Sequence, residues 1–501
     1  MPYYKEIEWE LLQDEKIFEN NNWIFEFPFE MPRITQLTFK RDEFYNISIE
    51  IICKSNEIIP NEIKKAIIID YINITSKYSQ KEYLVKNASI LQYGTSIEND
   101  EKTIYIHLST TKILFNLKNN DETSWIKEWY LNGPKSRIIF HRSTTFSKKE
   151  IFEKKLDNSI PELRAGNNFQ IEIPKNENIT RNYMFCKLND KDNIIINAVP
   201  DTMNPSWSNN ICISYNSKEI IDNKDLRGNI DNIISFIFGR KLIKIGESHY
   251  NSKGIKIKEE IFNPYINNRF NLKNICESSD NFPIPLYNYN REQIESIISN
   301  LINSFISKND TLNFTSMFIN YWSSTYLPPE SKVILLAASL ESIMNKWFES
   351  KNSKRKTRII EKSEYKKLIK DIKPKFKEKF GYCKLIMDNF YQLNRLSINK
   401  SFERFFEEIG MEIGDVEKEA IKSRNNPVHG NDLDNETFCN LIIYSHIYHT
   451  LLNRVILILL DYNREYTITN LIPPIQVSNK IPYTIEKLRD EVFKIRYFNT
   501  D

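Results

Sequence analysis

Residues 421–430 read IKSRNNPVHG, and the organisation of the second half of the chain turns on them. They lie between two stretches whose apolar residues recur at helical spacing. Pro427 ends any helix that precedes it and holds Asn426 in extended geometry. The next long pattern runs from Asn435 to about Asn463, with Phe438, Leu441, Ile442, Tyr448, Leu452, Val455, Ile456 and Leu459 on one stripe, and predicts the longest helix of the chain. The junction between the two patterns therefore presents Arg424 and His429 from one constrained turn. Imidazole takes or gives a proton near neutral pH. Guanidinium holds a phosphate and stabilises charge developing on it. The pair suits phosphodiester chemistry, although a plain surface loop can carry the same two residues at the same spacing.

Upstream of this turn, residues 290–306 place Ile294, Ile297, Ile298, Leu301 and Phe305 at helical spacing behind Asn290, an N-cap type. Pro328, Pro329, Glu330 and Ser331 then open a second helix over 332–348. Its central stretch, residues 333–344 (VILLAASLESIM), holds one charged residue, Glu341. A lone carboxylate in an apolar helix either points to solvent or has a partner, because burying it unpaired is costly. The functional alternative pairs Glu341 with Arg424 or sets it beside His429 to tune the imidazole.

Before residue 290 the pattern changes. Short runs rich in Ile, Tyr, Phe and Thr fall at 33–40, 45–53, 66–74, 103–109, 111–117, 137–141, 169–173, 183–188, 193–199 and 211–215, separated by Asn, Asp, Ser and Lys clusters. Strands without regularly interposed helices predict an antiparallel arrangement. Helices are expected at 124–131 and 229–238. The expected class is α+β: a large, mainly antiparallel β-rich part over 1–290, with a subdomain hinge near 147–165, then an all-α part over 291–501.

Composition narrows the function classes. The chain has 501 residues, of which 11 are Gly, and neither G-x-x-x-x-G-K-[ST] nor G-x-G-x-x-G occurs, so a P-loop or dinucleotide-binding domain is not expected. The six cysteines form no C-x-x-C knuckle, which reads as reduced thiols in a cytoplasmic protein. The N-terminus lacks the form of a signal peptide. The longest apolar run near the C-terminus, residues 455–460, is too short to span a bilayer, so no membrane is expected. Lys plus Arg total 69 and Asp plus Glu total 66, a net +3 that argues against a surface coated by nucleic acid. The sum conceals segregation: residues 351–384 hold 14 basic and 4 acidic residues, net +10, leaving −7 for the rest. Part of that −7 lies over 403–419. In the basic stretch Lys354, Arg355, Lys356, Arg358, Lys366, Lys367 and Lys370 interleave with Tyr365, Phe376, Phe380 and Tyr382, which offers phosphate attraction and base stacking to RNA. A solvated lysine-rich helix face is the plainer alternative.

Ala338-Ser-Leu-Glu341, then Arg424-Asn425 and His429-Gly430 ahead of a long helix, resembles the HEPN ribonuclease domain over roughly residues 300–465. By layout, the whole chain resembles ApeA-type anti-phage abortive-infection proteins. The resemblance implies a HEPN helical bundle and a metal-independent endoribonuclease with no cofactor and no metal. His429 would activate the ribose 2′-OH, Arg424 would bind the scissile phosphate, Asn425 would add a polar contact, and Glu341 would orient Arg424 or His429. It implies a homodimer through the helical part, a host RNA target with tRNA ahead of mRNA, and a β-rich part that senses an unknown phage-derived trigger or restrains the nuclease.

Two rival readings stand beside this. The helical part can be catalytically silent and serve RNA binding or dimerisation. Alternatively, Pro200-Asp201 with Asp222-Asn223-Lys224 matches the PD-(D/E)xK pattern of metal-dependent nucleases, although it falls in an Asn/Asp-rich turn. Cys439, His446 and His449 share a helical face with metal-ligand chemistry, but a core cysteine and two interface histidines are expected there. His249 is expected to mark a hairpin loop, and Trp125, Trp129 and Trp207 to be core or edge aromatics.

Overall fold

The computed structural model describes residues 12, 14–54, 68–98, 101–118, 121–135, 183–188, 192–199, 208–264, 272, 275–276, 281–325, 327–351, 358–380, 389, 392–424 and 435–462. Of the expected elements, the hinge at 147–165 and the strands at 137–141 and 169–173 lie outside them. The chain divides into two compact units, residues 1–231, 240–280 and 290–299, and residues 232–239, 281–289 and 300–501. The architecture is α+β, with a large antiparallel sheet followed by helices.

The first unit holds a sheet of 14 strands. They are β1 (Lys16–Glu19), β2 (Trp23–Glu26), β3 (Ile34–Arg41), β4 (Ile47–Lys54), β5 (Ile68–Ser76), β6 (Lys81–Glu98), β7 (Glu101–Thr110), β8 (Lys112–Leu117), β9 (Trp125–Leu131), β10 (Tyr183–Leu188), β11 (Asp192–Ala198), β12 (Ile211–Tyr215), β13 (Ile243–Tyr250) and β14 (Lys256–Phe262). The order is β1-β3-β4-β7-β6-β8-β14-β13-β9-β12-β11-β10, with β5 on β6 and β2 on β5. The long β6 explains the branching: residues 81–86 pair with β8 and residues 89–98 with β7. The N-terminal strands curl round one core. Phe18 of β1 and Trp23 of β2 both pack edge-on to Tyr83 of β6, with centroids 4.9 and 5.6 Å away.

Residues 124–131 are not a helix. Trp125–Leu131 is a central strand, buried along its whole length between β12 and β13. The i,i+4 tryptophans and the Lys127-Glu128 pair look like one apolar and one wet helix face, but the sheet buries both charges. Trp125 and Trp129 are core aromatics, as expected; Trp207 lies outside the described residues. The free edge of β10 is capped by a helix: Phe185 N–H donates to Glu295 Oε1 at 3.1 Å and Lys187 N–H to Ser299 Oγ at 3.0 Å. Occupying those N–H groups blunts an edge that would otherwise recruit further strands.

The helices are α1 (Lys218–Asp222), α2 (Lys224–Ile237), α3 (Arg291–Leu312), α4 (Phe314–Ser324), α5 (Pro329–Ser350), α6 (Lys362–Phe380), α7 (Ile398–Glu408), α8 (Asp415–Ser423) and α9 (Asn435–Leu459). Asn290 does start α3: its side chain accepts from Gln293 N–H at 3.0 Å while Gln293 accepts from Asn290 N–H at 2.9 Å, a reciprocal capping box. Pro329 occupies the first turn of α5, where its missing N–H costs nothing. Within the second unit α5 packs against α4 and α9, and α8 packs on α9. Residues 441–459 of α9 are long and apolar enough to cross a membrane, although no single uninterrupted apolar run reveals it. Most of that stretch is buried within the protein, and its one cation, Arg454, is paired there.

Candidate functional site

Helix α8 is anchored before it delivers Arg424. Gly414 N–H donates to Glu417 Oε2 at 3.0 Å, closing the first turn. Glu417 is buried and bonds Arg454 Nη1 of α9 at 2.5 Å, while Arg454 Nη2 donates to the Glu412 carbonyl at 2.8 Å. A buried, charge-assisted pair of this kind fixes where α8 sits on α9. Arg424 then caps the C-terminus of α8, three residues before Pro427.

The Arg424 side chain is 14% exposed, and its Nη1 lies 3.9 Å from Glu341 Oε2. Its guanidinium carbon sits 5.7 Å from the Phe402 ring centroid of α7, a cation–π contact. Its Nε is buried and has no hydrogen-bond partner among the described residues. The Glu341 separation is an ion pair, too long for a hydrogen bond. The guanidinium is thus held by charge and by a ring face. Glu341 itself is 45% exposed, so the solvent-facing and the paired readings of this carboxylate both hold. An ion pair this exposed contributes about 0–1 kcal/mol to stability.

Tyr448 of α9 completes the surroundings. Its hydroxyl is buried and has no hydrogen-bond partner among the described residues. Burial pushes its pKa up; the Arg424 charge pulls it down and the Glu341 charge raises it further, with a net rise. Neither Phe402 nor Tyr448 is singled out by the sequence, because each is one aromatic among many on a helix stripe. Asn425 and His429 lie outside the described residues, so only Arg424 and Glu341 of the predicted catalytic set are seen together.

The basic stretch is split. Lys366, Lys367 and Lys370 are exposed on α6, where Ile369 is the single buried side chain among those described. Arg358 is built into the fold: it forms a one-residue bridge with Arg395, and its carbonyl accepts from Arg404 Nη1 at 2.8 Å. Tyr365 and Phe376 are half-buried. Lys354, Arg355 and Lys356, together with Tyr382 and the Phe380 side chain, lie outside the described residues.

The other constellations resolve differently. Asp222–Lys224 is an exposed junction between α1 and α2, where Asn223 Oδ1 accepts from Leu226 N–H at 2.9 Å as a helix cap. A PD-(D/E)xK site would need these residues on a strand; Asp201 lies outside the described residues. Among the described residues no three His, Cys, Asp or Glu side chains gather as metal ligands; the Cys439 side chain is not among them. His249 lies on β13, and the hairpin turn follows it at Asn251–Ile255, where Gly254 adopts φ +76°.

Sequence reasoning missed a buried ionic network in the first unit. Glu128, Glu247 and Glu260 stand directly opposite one another on β9, β13 and β14. Like charges in register repel, and cations offset them. Arg227 of α2 donates to Glu128 Oε1 at 2.9 Å, Lys244 contacts Glu128 and lies 2.8 Å from Glu247, and Lys112 and Lys258 hold Glu260 at 2.5 and 2.9 Å. Tyr130 O–H donates to Glu128 at 2.7 Å and Tyr215 O–H to Asp231 at 3.2 Å. Burial, then the nearby Glu128 charge, pushes Asp231 up to about 7. Burial also opposes ionisation of Glu247, but hydrogen bonds and charge from His249 and Lys244 outweigh it and hold its carboxyl well below the usual range. Each of these carboxylates is met by a cation or a hydroxyl donor.

In comparison with known proteins, no protein family, curated protein or solved structure matches this chain.

Proposed function

We propose that this protein is an anti-phage defence endoribonuclease whose helical unit is a HEPN-type bundle that cuts host RNA without a metal. The observation that carries the reading is Arg424: fixed beside Glu341 and over Phe402, with a buried Nε that has no hydrogen-bond partner among the described residues, five residues ahead of His429 in the chain. In this reading the guanidinium binds the scissile phosphate, charge-assisted and in fixed orientation. His429 takes the proton from the ribose 2′-OH, which attacks the adjacent phosphorus, and the 5′-oxygen leaves as a hydroxyl once protonated. The products carry a 2′,3′-cyclic phosphate and a 5′-OH. Asn425 contributes a polar contact and Glu341 positions Arg424.

The exposed lysines of α6 support RNA as the substrate, since a helix with eight Lys and three acidic residues attracts phosphodiesters over a Debye length. A tRNA target, a two-fold dimer of helical units, and a β-rich unit that answers a phage-derived trigger belong to the same proposal. Mapping the ends of RNA fragments made by wild type and by Arg424→Ala tests it. Cyclic-phosphate ends from wild type and their loss in the variant are expected. Fragments with 3′-OH ends, or an Arg424→Ala protein that cuts as fast as wild type, overturn the assignment. RNA that is bound but never cut selects the silent-module reading.

A further inference from the structure

The first unit holds a hydroxyl, an imidazole and a carboxylate in line. Thr123 Oγ1 lies 3.4 Å from His249 Nδ1, and His249 Nε2 lies 3.3 Å from Glu247 Oε1. Thr123 comes from the loop ahead of β9, while Glu247 and His249 are two residues apart on β13 and so share a face of the sheet. With the proton of the neutral ring on Nε2, that nitrogen donates to Glu247 and leaves Nδ1 to accept from the Thr123 hydroxyl. Both separations are at the long end of hydrogen bonding, as nucleophile–base pairs often are before a substrate draws them together.

The surroundings fix each member of the line. Asn251 Nδ2 donates to Asp121 Oδ2 at 2.7 Å and Ser124 N–H to the Tyr250 carbonyl at 2.8 Å, so the chain on both sides of Thr123 is tied to the end of β13. Opposite the step from His249 to Tyr250, β14 carries one extra residue, a bulge of the kind that re-aims side chains at strand ends. The two oxygens of Glu247 have different partners: Oε2 meets Lys244 at 2.8 Å and Arg227 at 3.6 Å, and Oε1 faces His249. The cations on Oε2 favour an ionised Glu247, and an ionised carboxylate steadies an imidazolium at Oε1. Access differs along the line. Glu247 is buried, the His249 side chain is 12% exposed, Thr123 is half-buried and Ser124 beside it is exposed. The threonine end is the one a substrate meets first. Asp121 and Glu122, exposed just ahead of it, disfavour an anionic substrate.

We propose that Thr123, His249 and Glu247 form an acyl-transfer site for uncharged carboxylic esters. Thr123 Oγ1 attacks the ester carbonyl while His249 Nδ1 takes its proton. The alcohol leaves with that proton, and the acyl group stays on the threonine. Water, giving a proton to the same nitrogen, then cleaves the threonine ester, which releases the acid and restores the hydroxyl. The site lies within the first unit and does not rest on the ribonuclease reading. p-Nitrophenyl acetate and a fluorophosphonate, each offered to the full-length protein, test it. Saturable release of nitrophenol is expected, together with a phosphonyl adduct that peptide mass spectrometry places on Thr123. Both should fall at least a hundredfold in Thr123→Val and in His249→Gln, and both should persist in Thr123→Ser, which keeps a hydroxyl. Thr123→Val should melt within a few degrees of wild type, as a half-exposed loop substitution does. The position of the adduct on the wild-type chain decides the matter whatever the stability of the variants. No adduct, an adduct on Ser124 instead of Thr123, or turnover that survives in Thr123→Val overturns the proposal.

Discussion

The Arg424 guanidinium lies 3.9 Å from the Glu341 carboxylate, near enough to be oriented by it and too far to be consumed by a hydrogen bond. A purely structural pair at this exposure has little energetic value. A pair that positions a phosphate-binding group has a different signature, and the two can be separated.

Glu341→Gln should change the melting temperature by a few degrees at most, since about 1 kcal/mol is the upper end for such a pair. RNA cleavage should fall by roughly ten- to a hundred-fold, because a loosened phosphate contact costs that much when geometry is lost. Thermal melts and single-turnover cleavage on the same preparation check both. Equal, large losses in each would make Glu341 structural.

Glu417→Ala tests the anchor of α8. It strands Arg454 as an unpaired buried cation and should cost about 3–5 kcal/mol in urea denaturation. Replacing both partners, Glu417→Leu with Arg454→Met, should recover most of that loss. A single variant as stable as wild type would show that α8 is held by apolar packing alone.

Stability against pH should report Asp231. Its folded-state pKa, about 7, is raised above the ordinary aspartate value, so the folded protein binds this proton more tightly than the unfolded chain. That contribution is present below about pH 4 and is lost as pH rises towards 7. Asp231→Asn should flatten the fall in urea midpoint over this window. Glu247 has the opposite sign: its pKa is lowered, so its contribution is present at neutral pH and lost in acid, below about pH 4.5. A wild-type curve unaltered by Asp231→Asn would rule out a titrating Asp231.

RNA affinity should depend on salt through α6. Lys366→Gln, Lys367→Gln and Lys370→Gln together should reduce the slope of log affinity against log salt by about 2, at roughly 0.7 per phosphate contact on single strands. An unchanged slope would place the RNA elsewhere.

Much of the architecture was legible because its signals are local. Alternating or β-branched runs located strands such as Tyr183–Leu188 and Ile211–Tyr215 to the residue, and Asn290 and Pro329 marked helix starts. Strands β6 and β14 were missed, because KEYLVKNASILQYGTSIE and KIKEEIF are rich in residues that usually separate strands. Trp125–Leu131 was misread because Lys127 and Glu128 look solvent-facing, and only cross-strand and α2 partners make their burial tolerable. The site follows the same logic. Glu341 stood out as one charge in an apolar run, and its ion pair with Arg424 spans 83 residues. Phe402 and Tyr448 carry no local mark, since they gain meaning only from helices brought together in the fold.

The most direct test of the central claim is RNA cleavage by His429→Ala beside wild type, both with EDTA present. Wild type should cut and leave 2′,3′-cyclic phosphate ends, while the variant binds RNA with wild-type affinity and leaves it intact. Cleavage by the variant, or a wild type that cuts only when divalent metal is restored, would contradict the account.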